Sequence, residues 1–244
     1  MKNKLRLDEL VLRAGFAKDL KKAQAVIMAG LISSDKGILS KPGTIIDAAT
    51  ALKLKEINPF VSRGGLKLVG ALEDLFINPE GRVCMDIGAS TGGFTDCLLQ
   101  KGALKVYAVD VGKNLLDEKL KNNLKVQNIE NVNFRYFSAN CLKEKVEFVT
   151  IDLSFISLEK VLPAVVDCLT DYGEVLALVK PQFEALAGET VRGVVKDDNI
   201  RQKYINKIKS FSLKLGFTIL GETASRIKGP KGNVEHFIYL KKTN

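Results

Sequence analysis

The sequence is 244 residues long, 46 % apolar and 27 % charged, proportions that exclude a fibrous or wholly disordered chain. No apolar run reaches the roughly 18 residues that a membrane-spanning helix needs, and the basic start Met1–Arg6 leads into no apolar stretch, so neither membrane insertion nor a secretory leader is expected. The formal net charge of +9 favours a polyanionic partner, and residues 1–62, with 11 Lys/Arg against 6 Asp/Glu, carry more than half of that excess.

In chain order, residues 1–57 are expected to form a small α+β unit. Leu7, Leu10 and Val11 line one face of a helix that Gly15 ends. Asp19 caps a second helix running to Ala29, with Lys18, Lys21 and Lys22 at its start. Short strands follow at 31–33, at 44–46 after the Lys41-Pro42-Gly43 turn, and at 52–54. Residues 58–62, which contain Pro59, are expected to be a linker.

From residue 63 to 244, strands and helices alternate. Strands are expected at 83–87, 105–109, 126–129, 148–151, 173–179, 217–222 and 235–239. Helices are expected at 66–75, 93–100, 158–168 and 200–215. Apolar strands separated by amphipathic helices predict an α/β, Rossmann-like domain with a mostly parallel seven-stranded sheet covered on both faces. Ligands of such sheets lie at the carboxyl ends of the strands. Cys84, Cys97, Cys141 and Cys168 form no C-x-x-C pair and have no histidine cluster beside them, so reduced thiols are expected rather than disulfides or zinc.

The segment from Asp86 through Gly88, Ala89, Ser90, Thr91, Gly92 and Gly93 to Phe94 carries the most chemistry. A strand ends, a glycine-rich turn follows, and a helix begins; Asp110 then ends the next strand. Glycines let the backbone approach a ligand, and a carboxylate at position 110 can accept both hydroxyls of a ribose. A dinucleotide and S-adenosyl-L-methionine both use this pattern. The spacing G-x-x-x-G-G departs from the dinucleotide form, and Asp86 opposes a phosphate while favouring the positive charges of the methyl donor.

Asp152 and Lys180 each follow a strand at the same predicted edge. Methylating a ribose hydroxyl requires removal of a proton held far above neutrality; burial or a neighbouring cation makes a lysine a usable base, while a nearby carboxylate opposes that shift and orients the ammonium. Lys180 is the candidate base or polarising group and Asp152 its orienter. Lys67, at the start of the first helix of this domain, and Glu235, at the start of the last strand, are further candidates.

These residues resemble the TlyA family, hemolysin-like proteins that join an S4 RNA-binding domain to an FtsJ-type 2′-O-methyltransferase domain. The likeness rests on Arg6–Val11, Arg63–Leu68, Asp86–Asp96, Asp152–Ser157, Lys180–Glu184 and Gly229–Glu235, in this order. It implies a Lys67–Asp152–Lys180–Glu235 tetrad, S-adenosyl-L-methionine as methyl donor, and ribosomal RNA or ribosomal subunits as partners. It also implies a cytoplasmic location and an S4-like role for residues 1–57. Glu130, in the segment Glu130–Arg135, is similar to a family position beside the adenosine pocket. Arg6, Lys18, Lys21 and Lys22 are expected to contact RNA, with Arg63 between the domains. Lys18-Asp19-Leu20-Lys21-Lys22 stands where the family usually has Ser-Arg, so charge is kept while planar two-pronged phosphate contacts are lost. The family's hemolysin name raises a membrane-lytic alternative, for which no inserting segment is visible. A catalytically silent RNA-binding protein is the other alternative, and the presence of all four tetrad residue types argues against it.

Overall fold

The computed structural model describes residues 4–55 and 58–243. The chain divides into two compact units, Met1–Ile57 and Asn58–Asn244.

The first unit begins with β1 (Lys4–Arg6), followed by α1 (Leu7–Arg13) and α2 (Leu20–Met28). Then come β2 (Ile32–Ser34), β3 (Gly37–Ile38), β4 (Ile45–Asp47) and β5 (Lys53–Leu54). β1 pairs antiparallel with β4, and β2 lies between β3 and β5. β1 and β3 are not among the expected elements; at three and two residues they are too short to show an alternating pattern. Gly15 takes φ +74° just past α1. The Asp19 carboxylate accepts from the Lys22 backbone N–H at 2.7 Å, capping α2. Leu7, Val11, Ala23, Ile27 and Ile32 form the core.

The second unit contains α3 (Gly64–Asp74), β6 (Val83–Ile87), α4 (Gly93–Gln100), β7 (Lys105–Val109), α5 (Glu118–Lys121) and β8 (Val126–Ile129). It continues with β9 (Val146–Ile151), α6 (Leu162–Cys168), β10 (Leu169–Val179), α7 (Pro181–Glu184), α8 (Asp198–Lys214), β11 (Phe217–Ala224) and β12 (His236–Lys242). The seven strands are ordered β11-β12-β10-β9-β6-β7-β8. β8 through β10 in that order are parallel, and only β12 runs antiparallel to its neighbours. Every residue of β6 is buried, and alternate residues face opposite layers. Cys84 joins Leu68, Phe94 and Leu98 under α3 and α4, while Met85 and Ile87 join Val165, Ile205 and Ile208 under α6 and α8.

Residues 58–62 do not behave as a free linker. Phe60 is 9 % exposed and packs with Leu68 and Phe94, and the Asp96 carboxylate accepts from the Val61 N–H at 2.9 Å. The segment is held because Gly65 has no Cβ: a side chain there would overlap the Phe60 ring. Cys84, Cys97 and Cys168 are buried free thiols and Cys141 is exposed. No helix among the described residues is long and apolar enough to cross a membrane.

Candidate active site

Three parallel neighbours, β6, β9 and β10, end in register: Ile87 lies opposite Ile151, and Ile151 opposite Ala177. The loops after them therefore emerge side by side. β12 runs the other way with His236 opposite Val179, so Glu235, just before it, arrives at the same edge. Sheet register alone thus gathers the segments holding Gly88, Asp152, Lys180 and Glu235.

The backbone seals the junction. The Asp152 N–H donates to the Ile87 carbonyl at 2.9 Å. Gly88, at φ +85°, passes so close to the Asp152 carbonyl that a Cβ would sit 2.5 Å from its oxygen. Only glycine satisfies both the left-handed backbone and the close approach.

Two ion pairs face one cavity of about 300 Å³. Lys180 Nζ lies 2.6 Å from Asp152 Oδ1 and donates to Ser154 Oγ at 3.0 Å. Lys67 Nζ lies 2.5 Å from Glu235 Oε2, and Gln182 Nε2 donates to Glu235 Oε1 at 3.2 Å. Glu235 is fully buried and Lys180 is 8 % exposed. Lys67, Asp152 and Lys180 line the cavity, as do Gly88, Ala89, Ser90 and Thr91. Gly93 and Phe94, from the start of α4, and Arg63, at the N-cap of α3, complete that wall. Glu235 lies beneath Gly229, whose missing Cβ leaves room for the carboxylate.

A second cavity, of about 230 Å³, opens on the other side of Gly88 and is lined by Asp110, Val111, Val132, Asn133, Phe134 and Phe155, among others. Asp110 Oδ2 accepts from the Ser90 N–H at 2.8 Å and Oδ1 from the Gly112 N–H at 2.7 Å. Each oxygen keeps a lone pair for a further donor. Phe155 is 89 % exposed, and its ring centroid lies 4.7 Å from that of Phe183.

Three residues expected at the cofactor, Asp86, Gly92 and Glu130, line neither cavity. Asp86 is fully buried, accepting from Thr95 Oγ1 at 2.7 Å and from Thr150 Oγ1 at 3.2 Å. Burial pushes its carboxyl up to about 7, and the charge of Asp152 adds to the shift. Glu130 accepts from the Asn114 N–H at 2.8 Å, a bond that lowers its pKa. This bond ties Glu130 to the 112–115 loop. Gly92, at φ +93°, makes room for Leu120 and Leu116.

In the first unit, Lys18, Lys21 and Lys22 are exposed. Arg6 is half-exposed, and its guanidinium forks onto buried Asp8 at 3.0 and 2.7 Å. The Arg6 side chain holds the Asp8 carboxyl down at about 2.

Residue-by-residue reading of the sequence missed Ser154 and Gln182, although both stand within motifs singled out above, each two positions after a tetrad residue. Phe155 stands in the same Asp152–Ser157 motif as Ser154. Its φ of +64° and its exposure emerge only in the fold.

Residues 60–242 match the model of the FtsJ-like methyltransferase family. A Mycobacterium tuberculosis protein named 16S/23S rRNA (cytidine-2′-O)-methyltransferase TlyA is 40 % identical, over 99 % of this chain and 91 % of its own. Hemolysin A of Brachyspira hyodysenteriae is also 40 % identical, over 97 % of this chain and 99 % of its own. A solved structure of a hemolysin-type protein from Streptococcus thermophilus superimposes with a TM-score of 0.77 at 42 % identity, covering 100 % of this chain and 90 % of that one. With the family model spanning nearly all of the second unit, this chain belongs to the FtsJ-like methyltransferases.

Proposed function

We propose that the protein transfers a methyl group from S-adenosyl-L-methionine to a ribose 2′-hydroxyl of ribosomal RNA, acting on ribosomal RNA or assembled subunits in the cytoplasm. The observation that carries this reading is the Lys180 amine, held between Asp152 and Ser154 at the wall of the cavity that adjoins the Gly88 loop.

The residues present fit the methyl donor. The second cavity offers an apolar slot from Val111, Val132 and Phe134 for a purine, and Asp110 with free lone pairs for its ribose hydroxyls. Gly88 borders both cavities, so a ligand seated in one reaches the other past a position that has no side chain. Asp86 acts from behind the loop, as a buried acidic group whose ionised form a nearby cation favours. When bound, S-adenosyl-L-methionine supplies an electrophilic methyl group on a sulfonium.

The chain's own residues do the remaining work. Lys180 Nζ is placed to polarise the ribose hydroxyl or to take the proton that it releases as its oxygen attacks. Asp152 and Ser154 fix the direction of that amine. Lys67, anchored by Glu235, directs a second cation at the same cavity and stabilises negative charge developing on the attacking oxygen. The exposed Phe155 ring offers a stacking face to a base turned out toward the site. Residues 1–57 serve as an S4-like RNA-binding module, with Lys18, Lys21 and Lys22 as phosphate contacts and Arg63 at the cavity rim. The 40 % identity to a protein named for ribosomal RNA cytidine 2′-O-methylation supports this substrate.

Incubation with labelled methyl donor and separated ribosomal subunits, followed by mapping of 2′-O-methyl positions, tests the reading. A discrete new 2′-O-methyl ribose is expected. Label confined to protein or to base positions would overturn it.

A further inference from the structure

The catalytic unit carries cations, one of them at the rim of the first cavity, to which the reading above gives no role. Arg192, Lys196, Lys228 and Lys231 are exposed, and among the described residues none is in an ion pair. The acidic groups nearest in sequence are already engaged. Glu189 is held by Lys203 at 2.7 Å and by the Tyr204 hydroxyl. Asp198 pairs with Arg201, and Asp197 caps α8 by accepting from the Asn199 N–H at 2.7 Å.

The two loops that carry these cations are fastened together by one buried amide. Asn233 is 4 % exposed. Its Nδ2 donates to the Gly193 carbonyl at 3.0 Å and to the Pro230 carbonyl at 3.1 Å, and its Oδ1 accepts from the Val195 N–H at 3.3 Å. Lys231 Nζ reaches across to the Arg192 carbonyl at 3.2 Å. Arg192 (φ +52°) and Lys231 (φ +56°) both hold left-handed backbones, a conformation that is costly for a residue with a side chain. The two left-handed residues thus sit in adjoining loops, with the Lys231 ammonium against the Arg192 backbone and the Arg192 side chain exposed, a pair of unneutralised cations on one surface of the kind that attracts a polyanion. The arrangement is continuous with the site, because Lys228 lines the first cavity and precedes Gly229-Pro230-Lys231 in the same turn.

We infer that these loops form a phosphate-binding rail of the catalytic unit, with Arg192 and Lys231 gripping the RNA backbone beside the nucleotide that enters the cavity and Asn233 as the positioning residue. The inference rests on the reading that the substrate is RNA.

The test is the Arg192→Gln/Lys231→Gln double variant of the full chain, with deproteinised ribosomal RNA as probe. Two lost phosphate contacts lower the slope of log affinity against log salt by about 1.5. KM for RNA rises about tenfold while kcat and cofactor affinity stay within about twofold, the behaviour of a contact that positions the backbone without touching the reacting atoms. Asn233→Ala reproduces the KM and salt-slope changes with both cations still in place. If that variant fails to fold, the double variant carries the test alone. A double variant with the wild-type slope and KM overturns the rail. If the wild-type protein binds RNA with a slope that the double variant lowers, yet methylates no ribose in deproteinised RNA or in separated ribosomal subunits, the rail stands and the substrate reading falls. If the wild-type protein binds neither the RNA nor the subunits, both fall.

Discussion

Lys67 and Glu235 stand 168 positions apart in the chain and meet at 2.5 Å. The carboxylate is fully buried and the lysine nearly so. A buried charge is costly unless it is paired, so the first helix of the methyltransferase unit is tied to the start of its last strand at the wall of the first cavity. Lys180 and Asp152 make a second such pair across 28 residues of sequence, and the two cations reach the cavity from different elements of the unit.

Lys180→Ala is expected to lower methyl transfer by about a hundredfold to ten-thousandfold, the usual range for losing a proton-transfer group. Binding of S-adenosyl-L-methionine, followed by calorimetry, should change by less than about threefold, because Lys180 does not line the second cavity. Near-normal turnover in this variant would remove Lys180 from the mechanism.

Gly229→Ala isolates a steric requirement. Gly229 has a negative φ, so alanine suits its backbone, but the added methyl would overlap the Glu235 carboxylate. That carboxylate is held by Lys67 and Gln182 and cannot swing aside freely. A loss of about 1–3 kcal/mol in urea denaturation is expected, together with reduced turnover. Unchanged stability and turnover would mean that Glu235 is not fixed in place.

Asp86 sets a pH dependence whose sign follows from its burial. Its carboxyl is raised from 3.8 to about 7 in the folded chain, so the folded state keeps a proton that the unfolded chain releases. Stability therefore falls as pH rises from about 4 to about 7 and levels off above that window. Asp8 acts oppositely. It is lowered from 3.8 to about 2 by Arg6, so its contribution is present above about 4 and is lost as pH falls toward 2. Asp86→Asn should flatten the decline between pH 4 and 7, as measured by denaturant midpoints. An unaltered decline would place its origin in another group.

Neutralising Lys18, Lys21 and Lys22 together should lower the salt slope of RNA binding by about 2 and leave thermal stability nearly unchanged, since all three side chains are exposed. Arg6→Ala should differ in kind. With its fork removed, Asp8 is left buried with only the Glu9 N–H and Gln24 as donors, so the first unit should show a lower thermal midpoint in addition to any lost RNA contact. Equal thermal midpoints for Arg6→Ala and the wild type would show that the fork is dispensable.

Much of the site was legible in the chain because its chemistry sits in short motifs at strand ends. Asp152 and Lys180 each directly follow a run of apolar residues long enough to be a buried strand. In a parallel sheet all such positions fall on one edge, so their proximity could be expected before any coordinates. The α2 cap at Asp19 and the glycine at position 88 were legible for the same reason: each is a local conformational requirement that one residue type meets.

Other features were decided only by tertiary packing. Whether an acidic strand-end residue faces a ligand or the interior depends on its partners, and Thr95 and Thr150, 9 and 64 positions away, turn Asp86 inward. Glu130 is assigned by likeness alone; that one of its carboxylate oxygens accepts from the Asn114 N–H, 16 positions earlier, emerges only in the fold. Residues 58–62 look like a linker by composition, but Gly65 opens a space that the Phe60 ring fills. Sequence patterns report the period and the residue type of each element. The direction a polar side chain finally takes is set by long-range hydrogen bonds and by the volume left open around it, and neither is encoded in the neighbouring residues.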